Sequence, residues 1–383
     1  MEHISIISNL YPPEVKGGYE ILAEEFARFA QQHCQVSVLT TDCDKASSQE
    51  GVTRTLQPSS PWNEPPVYSR WPKIRSALFN YRKALQFFRE EQPTRAFFWN
   101  LNRIGLGPVL AARRLGIPCY FTINDYYPLQ YVEQRAGLER FKQMLLQSWS
   151  GLSDMSFTMI SDYLKQDLAD QGFAPQNTKV IYQGTDMTRF PLKPNPWKLP
   201  QPLRLLYVGT LSHDKGLDTL LASLVGLNVP YHLTLVGGGR PEYIEQLKDF
   251  ATQNELMQNL TFVGPIPREQ VPSYMHSHDV LVFPSRWPEP YGLSHLEAIA
   301  SGMFVVCTAV GGVREFLQND VFVETFEAGN ANELQQCILR TQNYTSVEQE
   351  KAKQSTEWVR DYFHLPRYCN ELLQFLDVSP ALS

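Results

Sequence analysis

Short apolar runs alternate along the chain with stretches where hydrophobic residues recur every three or four positions. In the first half the runs are ISIIS (4–8), VSVLT (36–40), AFFWN (96–100), CYFTI (119–123), SFTMI (156–160) and KVIYQ (179–183). In the second half they are RLLYVG (204–209), HLTLVG (232–237), LTFVG (260–264), DVLVFP (279–284) and FVVCT (304–308). Several lack strict apolar–polar alternation, as expected of strands covered by helices on both faces. Regular strand–helix alternation predicts parallel α/β units.

The series breaks once. PLKPNPWKLPQP (191–202) holds five prolines in twelve residues. Such a stretch forms neither a helix nor a central strand and reads as a stiff linker. The pattern therefore predicts an α/β chain of two doubly wound parallel-sheet domains, joined near residue 195. From Glu357 to Leu376 the sequence predicts an amphipathic helix (Trp358, Tyr362, Leu365, Tyr368, Leu372, Phe375) with no strand after it. Open parallel sheets take ligands at the carboxyl ends of their strands. With two such sheets, the gap between domains is the expected active site.

Composition narrows the class. The 383 residues are 43% hydrophobic and 19% charged, a globular mixture able to bury a sizeable core. A net charge of -6 argues against a surface coated for nucleic acid. No apolar run approaches the ~18–20 residues of a spanning helix. The start reads as a strand running into a Gly/Pro loop, without the pattern of a signal peptide. Cys34, Cys43, Cys119, Cys307, Cys337 and Cys369 include no C-x-x-C pair, and the eight histidines form no H-E-x-x-H. A reducing cytoplasm and no cysteine-based metal site are expected. N-x-T triplets at Asn259 and Asn343 fit chance occurrence.

The strongest chemical signal is FPSRWPEPYGLSHLEAIASG (283–302). A strand ends at Pro284, and a helix is predicted to begin near Gly292 or Leu293. Glu289 precedes this helix, and Glu297 lies in its second turn. The amide groups of Tyr291, Gly292 and Leu293 at the positive end of the helix dipole form a ready anion site, and Gly292 allows close approach. Carboxylates beside an anion site suit a ligand that also carries hydroxyls. A nucleotide-sugar offers both.

This segment, E-P-Y-G-L-x-x-L-E-A after a strand and S-R-W-P, resembles the E-x7-E motif of family-4 retaining glycosyltransferases of the GT-B fold. The similarity runs over nearly the whole chain and is densest from 203 to 317. It implies two Rossmann-like domains facing across a cleft, a first domain (1–192 plus 362–383) on the acceptor side and a second (193–361) binding the donor. It also implies that Glu289 contacts the donor sugar and Glu297 the ribose.

Other segments extend the resemblance. YVGTLSHDKGLDTLL (207–221) offers Gly209 for a tight turn and Lys215 as a point charge for phosphate. The family's usual arginine is replaced here by Thr210, with Arg286 or Arg240 as substitute cations. In YPPEVKGGYEILAEEFARFA (11–30), Gly17 and Gly18 open a helix and expose amides to an anion, similar to the family's N-terminal glycine loop. The G-x-G-x-x-G spacing of a dinucleotide site is absent. FTINDYYPL (121–129) has Asn124 where the family has His, and keeps Asp125, beside Tyr126. Asn124 cannot exchange a proton near neutrality. VIYQGTDMTRF (180–190) carries Gln183 for the usual Asn, and Val263, Gly264 and Pro265 resemble the loop that flanks the base.

From Arg70 to Phe88, apolar residues fall at Trp71, Ile74, Leu78, Tyr81, Leu85 and Phe88, with Arg70, Lys73, Arg75, Arg82, Lys83 and Arg89 between or beside them. This pattern reads either as a helix packed on the first sheet or as a basic amphipathic helix on an anionic membrane surface.

The resemblance implies retaining transfer of a sugar from a nucleoside diphosphate donor, UDP by default with GDP and ADP as alternatives, to an acceptor hydroxyl on a carbohydrate, a lipid-linked carrier or a small molecule. Lys215, Glu289 and Asp125 are the expected catalytic residues. No cofactor and no metal are expected, since protein cations meet the diphosphate. Two readings from other classes stay open: a non-catalytic homologue that binds glycan or partners a working transferase, and a nucleotide-sugar epimerase.

Overall fold

A computed structural model describes residues 2–42, 49–62, 70–132, 155–194, 196–197, 199–317 and 321–378. The chain divides into two units, Met1–Tyr182 with Tyr368–Ser383, and Gln183–Arg367. Each is built on one parallel sheet flanked by helices.

The first unit contains β1 (His3–Ser8), α1 (Gly18–Ala30), β2 (Gln35–Thr41), β3 (Val52–Leu56), α2 (Arg70–Glu91), β4 (Arg95–Asn100), α3 (Gly107–Arg114), β5 (Cys119–Ile123), β6 (Ser156–Met159), α4 (Asp162–Asp170) and β7 (Asn177–Val180). The strand order is β3-β2-β1-β4-β5-β6-β7. Register places Phe98 beside Phe121 and Phe121 beside Phe157. Their rings stack at centroid distances of 4.8 and 4.7 Å, making an aromatic ladder on one face. All three are essentially sealed from solvent, and each such contact adds about 0.5–1.5 kcal/mol to the burial itself.

The second unit contains β8 (Leu203–Val208), α5 (Leu217–Leu224), β9 (Tyr231–Val236), α6 (Pro241–Gln253), β10 (Leu260–Gly264), α7 (Val271–Ser277), β11 (Val280–Phe283), α8 (Leu293–Ala300), β12 (Phe304–Thr308), α9 (Val313–Leu317), β13 (Glu324–Phe326), α10 (Ala331–Thr341) and α11 (Ser346–Tyr362). Its order is β10-β9-β8-β11-β12-β13. The central strands β11 and β12 are apolar and fully buried, as strands covered on both faces require, and β8 is mostly so. The final helix α12 (Leu365–Phe375) falls mostly in the first unit.

Eleven expected strands lie within a few residues of their predicted positions. The largest shift is at β7, which ends at Val180, before the Tyr182 and Gln183 of the expected run. β3 and β13 were not expected, and both are edge strands. The expected tail helix is two helices, broken at Phe363–His364. There Thr185 donates its amide to the Phe363 carbonyl and Leu365 donates to the Thr185 carbonyl (2.9 Å each). Pro366 suits the first turn of the second helix and cannot continue the first.

The α2 pattern is also corrected. The helix buries Ala77, Asn80, Ala84, Phe87 and Phe88, leaving Trp71 81% and Leu78 46% exposed. The small Ala77 decides this face, because it lets α3 approach so closely that a Cβ on Gly107 would lie 2.1 Å from the Ala77 carbonyl oxygen.

In the second unit the loops leaving β8, β9 and β10 are hydrogen-bonded side by side. Gly209 donates to the Val236 carbonyl (3.0 Å), Leu211 to Gly238 (2.8 Å) and Gly237 to Gly264 (2.9 Å). Gly237 has φ 142°, and a Cβ there would stand 1.8 Å from the Gly209 oxygen. The GGG run thus serves loop-to-loop contact. At the other end of the sheet, Asp279, 1% exposed, accepts from both Arg204 (2.6 and 2.7 Å) and Lys193 (3.2 Å). Burial draws the Lys193 ammonium below its ordinary value despite Asp279.

Candidate active site

The order of the second sheet reverses between β8 and β11, which are direct neighbours. At such a reversal the following loops diverge to opposite faces, and ligands sit outside the strand ends between them. Lys215 follows β8 and Glu289 follows β11. The two side chains meet there: Lys215 Nζ is 2.5 Å from Glu289 Oε1, and each is 17% exposed. An ammonium carries three donors. Glu289 occupies one, so the lysine can hold an incoming anion without surrendering the carboxylate.

The loop that carries Glu289 is braced on all sides. The amides of Arg286 and Trp287 donate to the Asp214 carbonyl (2.8 and 3.0 Å), tying the loop to the segment that carries Lys215. Ser285 Oγ lies 2.8 Å from the Trp287 carbonyl and 3.2 Å from Glu289 Oε1. Gly312 donates to the Glu289 carbonyl (2.8 Å), and the Tyr291 hydroxyl donates to the Gln183 carbonyl (2.8 Å). Arg286 forks onto Asp218 (2.6 and 2.8 Å) and donates to Thr219 Oγ1 (2.7 Å). Burial alone would raise the Asp218 carboxyl, but the guanidinium overcomes it and holds the group below its ordinary value. Arg286 is therefore committed to the scaffold, whereas Arg240 is exposed at the start of α6. Thr210 is exposed, and its carbonyl accepts from the Tyr207 hydroxyl (2.8 Å).

Gly292 sits at φ 105° immediately before α8, where a Cβ would press against Val313 Cγ2 at 2.9 Å. Leu293 is the first residue of α8, as expected, and Glu297 lies in the second turn. Glu297 is fully buried. Its Oε1 accepts from Arg268, and the Thr185 hydroxyl lies 3.4 Å from the same oxygen. Oε2 is buried with no hydrogen-bond partner among the described residues. A buried acceptor left bare is costly, and a ligand hydroxyl would satisfy it. Val263 and Gly264 are half-buried where β10 ends; Pro265 is exposed, its ring packed 3.6 Å from the position of a Cβ on Gly238.

The first unit brings together a second set. Gly17 precedes α1, and its amide donates to Glu20 Oε2 (2.9 Å), so the buried Glu20 caps its own helix. Gly18 is exposed, and a Cβ there would meet nothing within 4 Å. The Tyr19 hydroxyl donates to the carbonyl of Asn124, which joins the glycine loop to the loop after β5. Asp125 Oδ1 accepts from the Tyr127 amide (2.7 Å). Burial raises the Asp125 carboxyl, the nearby Glu20 adds to the rise, and the Tyr127 amide opposes it. Burial likewise raises the Tyr126 phenol, helped by Asp167 and Tyr163. Among the described residues no cluster of His, Cys, Asp and Glu has the makings of a metal site.

Residues 16–189 match the profile of Glycosyltransferase Family 4, and residues 192–354 match that of the glycosyl transferases group 1. The chain belongs to the group 1/family 4 glycosyltransferases. It is 33% identical over 145 residues to the protein named glycogen synthase in Mycobacterium tuberculosis, covering 37% of this chain and 34% of that one. It is 28% identical over 174 residues to the uncharacterized glycosyltransferase MJ1607 of Methanocaldococcus jannaschii, covering 42% and 44%. The chain thus spans less than half the length of these curated relatives. The crystal structure of Anabaena HepE in complex with UDP-glucose superposes with TM-score 0.73 at 18% identity, covering 98% of this chain and 100% of that one. This glycosyltransferase therefore has the GT-B fold, with two parallel Rossmann-like sheets.

Three residues around Glu297 and the start of α8 were not foreseen: Arg268, Thr185 and His295. Arg268 sits in an ordinary polar loop 29 residues before Glu297, and no sequence pattern joins the two. His295 reads as one of several residues on α8. Its ring is buried against Phe283 (centroids 4.6 Å), Nδ1 lies 3.2 Å from the Gly292 carbonyl oxygen, and Nε2 has no partner among the described residues. Burial pushes this imidazole down to about 4. Between that value and the ordinary 6.5, the unfolded chain binds a proton that the folded chain refuses, so stability falls as pH falls through this window. The loss attributable to His295 is about 3 kcal/mol. Urea midpoints for His295→Leu should decline less from pH 6.5 to 4.5 than those of the wild type. Equal declines would exclude His295 as the source.

Proposed function

We propose that this glycosyltransferase moves a sugar from a nucleoside diphosphate sugar to an acceptor hydroxyl with retention at the anomeric carbon. The observation that carries the reading is the Lys215–Glu289 pair at the strand-order reversal of the second sheet, beside the start of α8. UDP-glucose is the favoured donor class, supported by its presence in the complex of the Anabaena protein. The second unit (Gln183–Arg367) holds the donor, and the first (Met1–Tyr182 with Tyr368–Ser383) shapes the acceptor site.

Each group has a role set by its chemistry. Lys215 and the amides of Tyr291, Gly292 and Leu293 meet the diphosphate, whose charge grows as the bond from the anomeric carbon to oxygen breaks. Fixed cations and dipoles aimed at that charge lower the barrier without reorganising. Glu289, held by Lys215 and Ser285, accepts from sugar hydroxyls, and Glu297 accepts from the ribose. Gly209 and Thr210 border the diphosphate, and Val263, Gly264 and Pro265 flank the base. The acceptor oxygen bonds to the anomeric carbon on the face the diphosphate leaves, and its proton passes to a departing phosphate oxygen. Gly17 and Gly18 approach the donor, while Asn124, Asp125 and Tyr126 orient the acceptor. The side chain of Asn124 takes no part in proton transfer. Protein cations and amides meet the leaving group without a metal.

With UDP-glucose as donor, release of UDP should fall about 10²–10³-fold in kcat/KM for Lys215→Ala, the scale of losing one preorganised charge stabiliser. Glu289→Gln should lose activity while still binding UDP. Wild-type rates in Lys215→Ala would overturn the assignment.

The acceptor side includes, on the same proposal, an anionic lipid surface. No acidic residue occurs from 70 to 89 in a chain of net charge -6. The exposed Trp71 and Leu78 lie on one stripe of α2 with Arg75 and Arg82. Basic stems and aromatic rings suit the headgroup region of a bilayer. No described helix is long and apolar enough to cross a membrane. Sedimentation with phosphatidylglycerol vesicles should capture the protein at low salt and release it at high salt. Phosphatidylcholine vesicles should not capture it, nor should either kind capture Trp71→Ala/Arg75→Ala/Arg82→Ala. Failure of the wild type to sediment with anionic vesicles would refute the contact.

A further inference from the structure

The buried carboxylate of Glu297 is held unevenly. Oε1 accepts from Arg268 and lies 3.4 Å from the Thr185 hydroxyl, whereas Oε2 has no hydrogen-bond partner among the described residues. Arg268 comes from the loop after β10, beyond the Val263–Pro265 segment, and its guanidinium lies over the Phe190 ring (5.8 Å). Phe190 is itself fixed, since Arg360 donates to its carbonyl (2.7 Å) and to that of Ala300 at the end of α8 (2.9 Å). Glu297 is 0% exposed and Arg268 is 26% exposed. The arginine is thus the part of the pair that solvent reaches, and the carboxylate lies behind it.

An isolated carboxylate is too costly to bury, and Arg268 supplies Glu297 with a compensating cation. Placing that cation on one oxygen alone leaves the other a full-strength acceptor with nowhere to spend its lone pairs. A ligand presenting a hydroxyl at Oε2 removes the deficit, and a ligand lacking it leaves the deficit in place. Sites of this kind discriminate strongly, because the penalty falls on the analogue without the hydroxyl.

We infer that Arg268 is a positioning residue that sets sugar discrimination in the nucleotide: by clamping Oε1 of Glu297, it presents Oε2 to a ribose hydroxyl and makes the site reject 2′-deoxyribose. The inference rests on the reading of the second unit as a nucleotide-sugar site and adds to it a residue acting through Glu297.

The test is calorimetric binding of UDP, GDP and ADP, each against its 2′-deoxy counterpart, to the full chain. The wild type should bind one ribonucleotide at least about tenfold more tightly than its deoxy form, the scale of a hydrogen bond to a charged group. Arg268→Ala should bring that ratio close to one while leaving affinity for the deoxy form little changed. Arg268→Lys, which keeps the charge, should retain part of it. Removing the arginine strands a buried charge, so the double variant Arg268→Ala/Glu297→Gln guards against misfolding. If Arg268 acts through Glu297, the double variant discriminates no worse than Glu297→Gln alone. An unchanged or larger ratio in Arg268→Ala overturns the inference, as do additive losses in the double variant. A wild type that binds a nucleoside diphosphate without preferring ribose defeats the inference and leaves the donor site standing. Absence of binding by all three ribonucleotides defeats the donor-site reading, and the inference with it.

Discussion

Two side chains of opposite charge, delivered by strands that lie side by side but are far apart in sequence, organise the second unit. Lys215 and Glu289 meet because β8 and β11 are neighbours in a sheet whose order reverses between them. Neither loop alone would hold its charge in place. The pairing keeps both groups in a partly dry setting, where each interaction is stronger than in water. The surrounding bonds serve to maintain it: Asp214 accepts two amides from the Glu289 loop, Gly312 supports the Glu289 carbonyl, and the Arg286–Asp218 fork closes the side. Gly237 and Gly239 let the neighbouring loops pack backbone to backbone, since a Cβ on either would press on the carbonyl oxygen of Gly209 or Leu211.

The balance of charge in this unit follows one logic. Each acidic group assigned to a ligand is matched by a cation on one oxygen and left with accepting capacity. Glu289 has Lys215, and Glu297 has Arg268. Of the two arginines expected as substitute phosphate ligands, Arg286 is instead consumed by Asp218, and Arg240 is exposed. On the proposed reading, with Arg286 so engaged, Lys215 and main-chain amides are the groups that meet the diphosphate. This makes the start of α8 more important than in a site with two basic side chains, and Gly292 is the residue whose backbone, at φ 105°, sets that start.

Much of this was legible from the chain. Buried strands announce themselves as apolar runs, and the central strands of both sheets fall where those runs predict. The edge strands β3 and β13 escaped because one, VTRTL, has three consecutive polar residues and no apolar run, and the other has three residues. The break before α12 escaped because a helical pattern in Trp358, Tyr362 and Tyr368 continues through a point where Thr185 captures the backbone instead. On α2, large apolar residues suggested one buried stripe, whereas the small Ala77 and Ala84 and the hydrogen-bonded Asn80 determined another. A glycine on a partner helix, Gly107, decides such a contact, and periodicity within one helix carries no trace of it. In the site, Glu289, Glu297 and Lys215 could be named from local motifs. Their partners could not, because Arg268 and Thr185 join Glu297 only through tertiary structure.

The most direct test of the account is a crystal structure of the protein with UDP bound. The account predicts phosphate oxygens within hydrogen-bond distance of Lys215 Nζ and of the Gly292 and Leu293 amides, with Lys215 still touching Glu289 and a ribose hydroxyl on Glu297 Oε2. Nucleotide bound elsewhere on the second unit, or a diphosphate that leaves Lys215 and the start of α8 uncontacted, would contradict it.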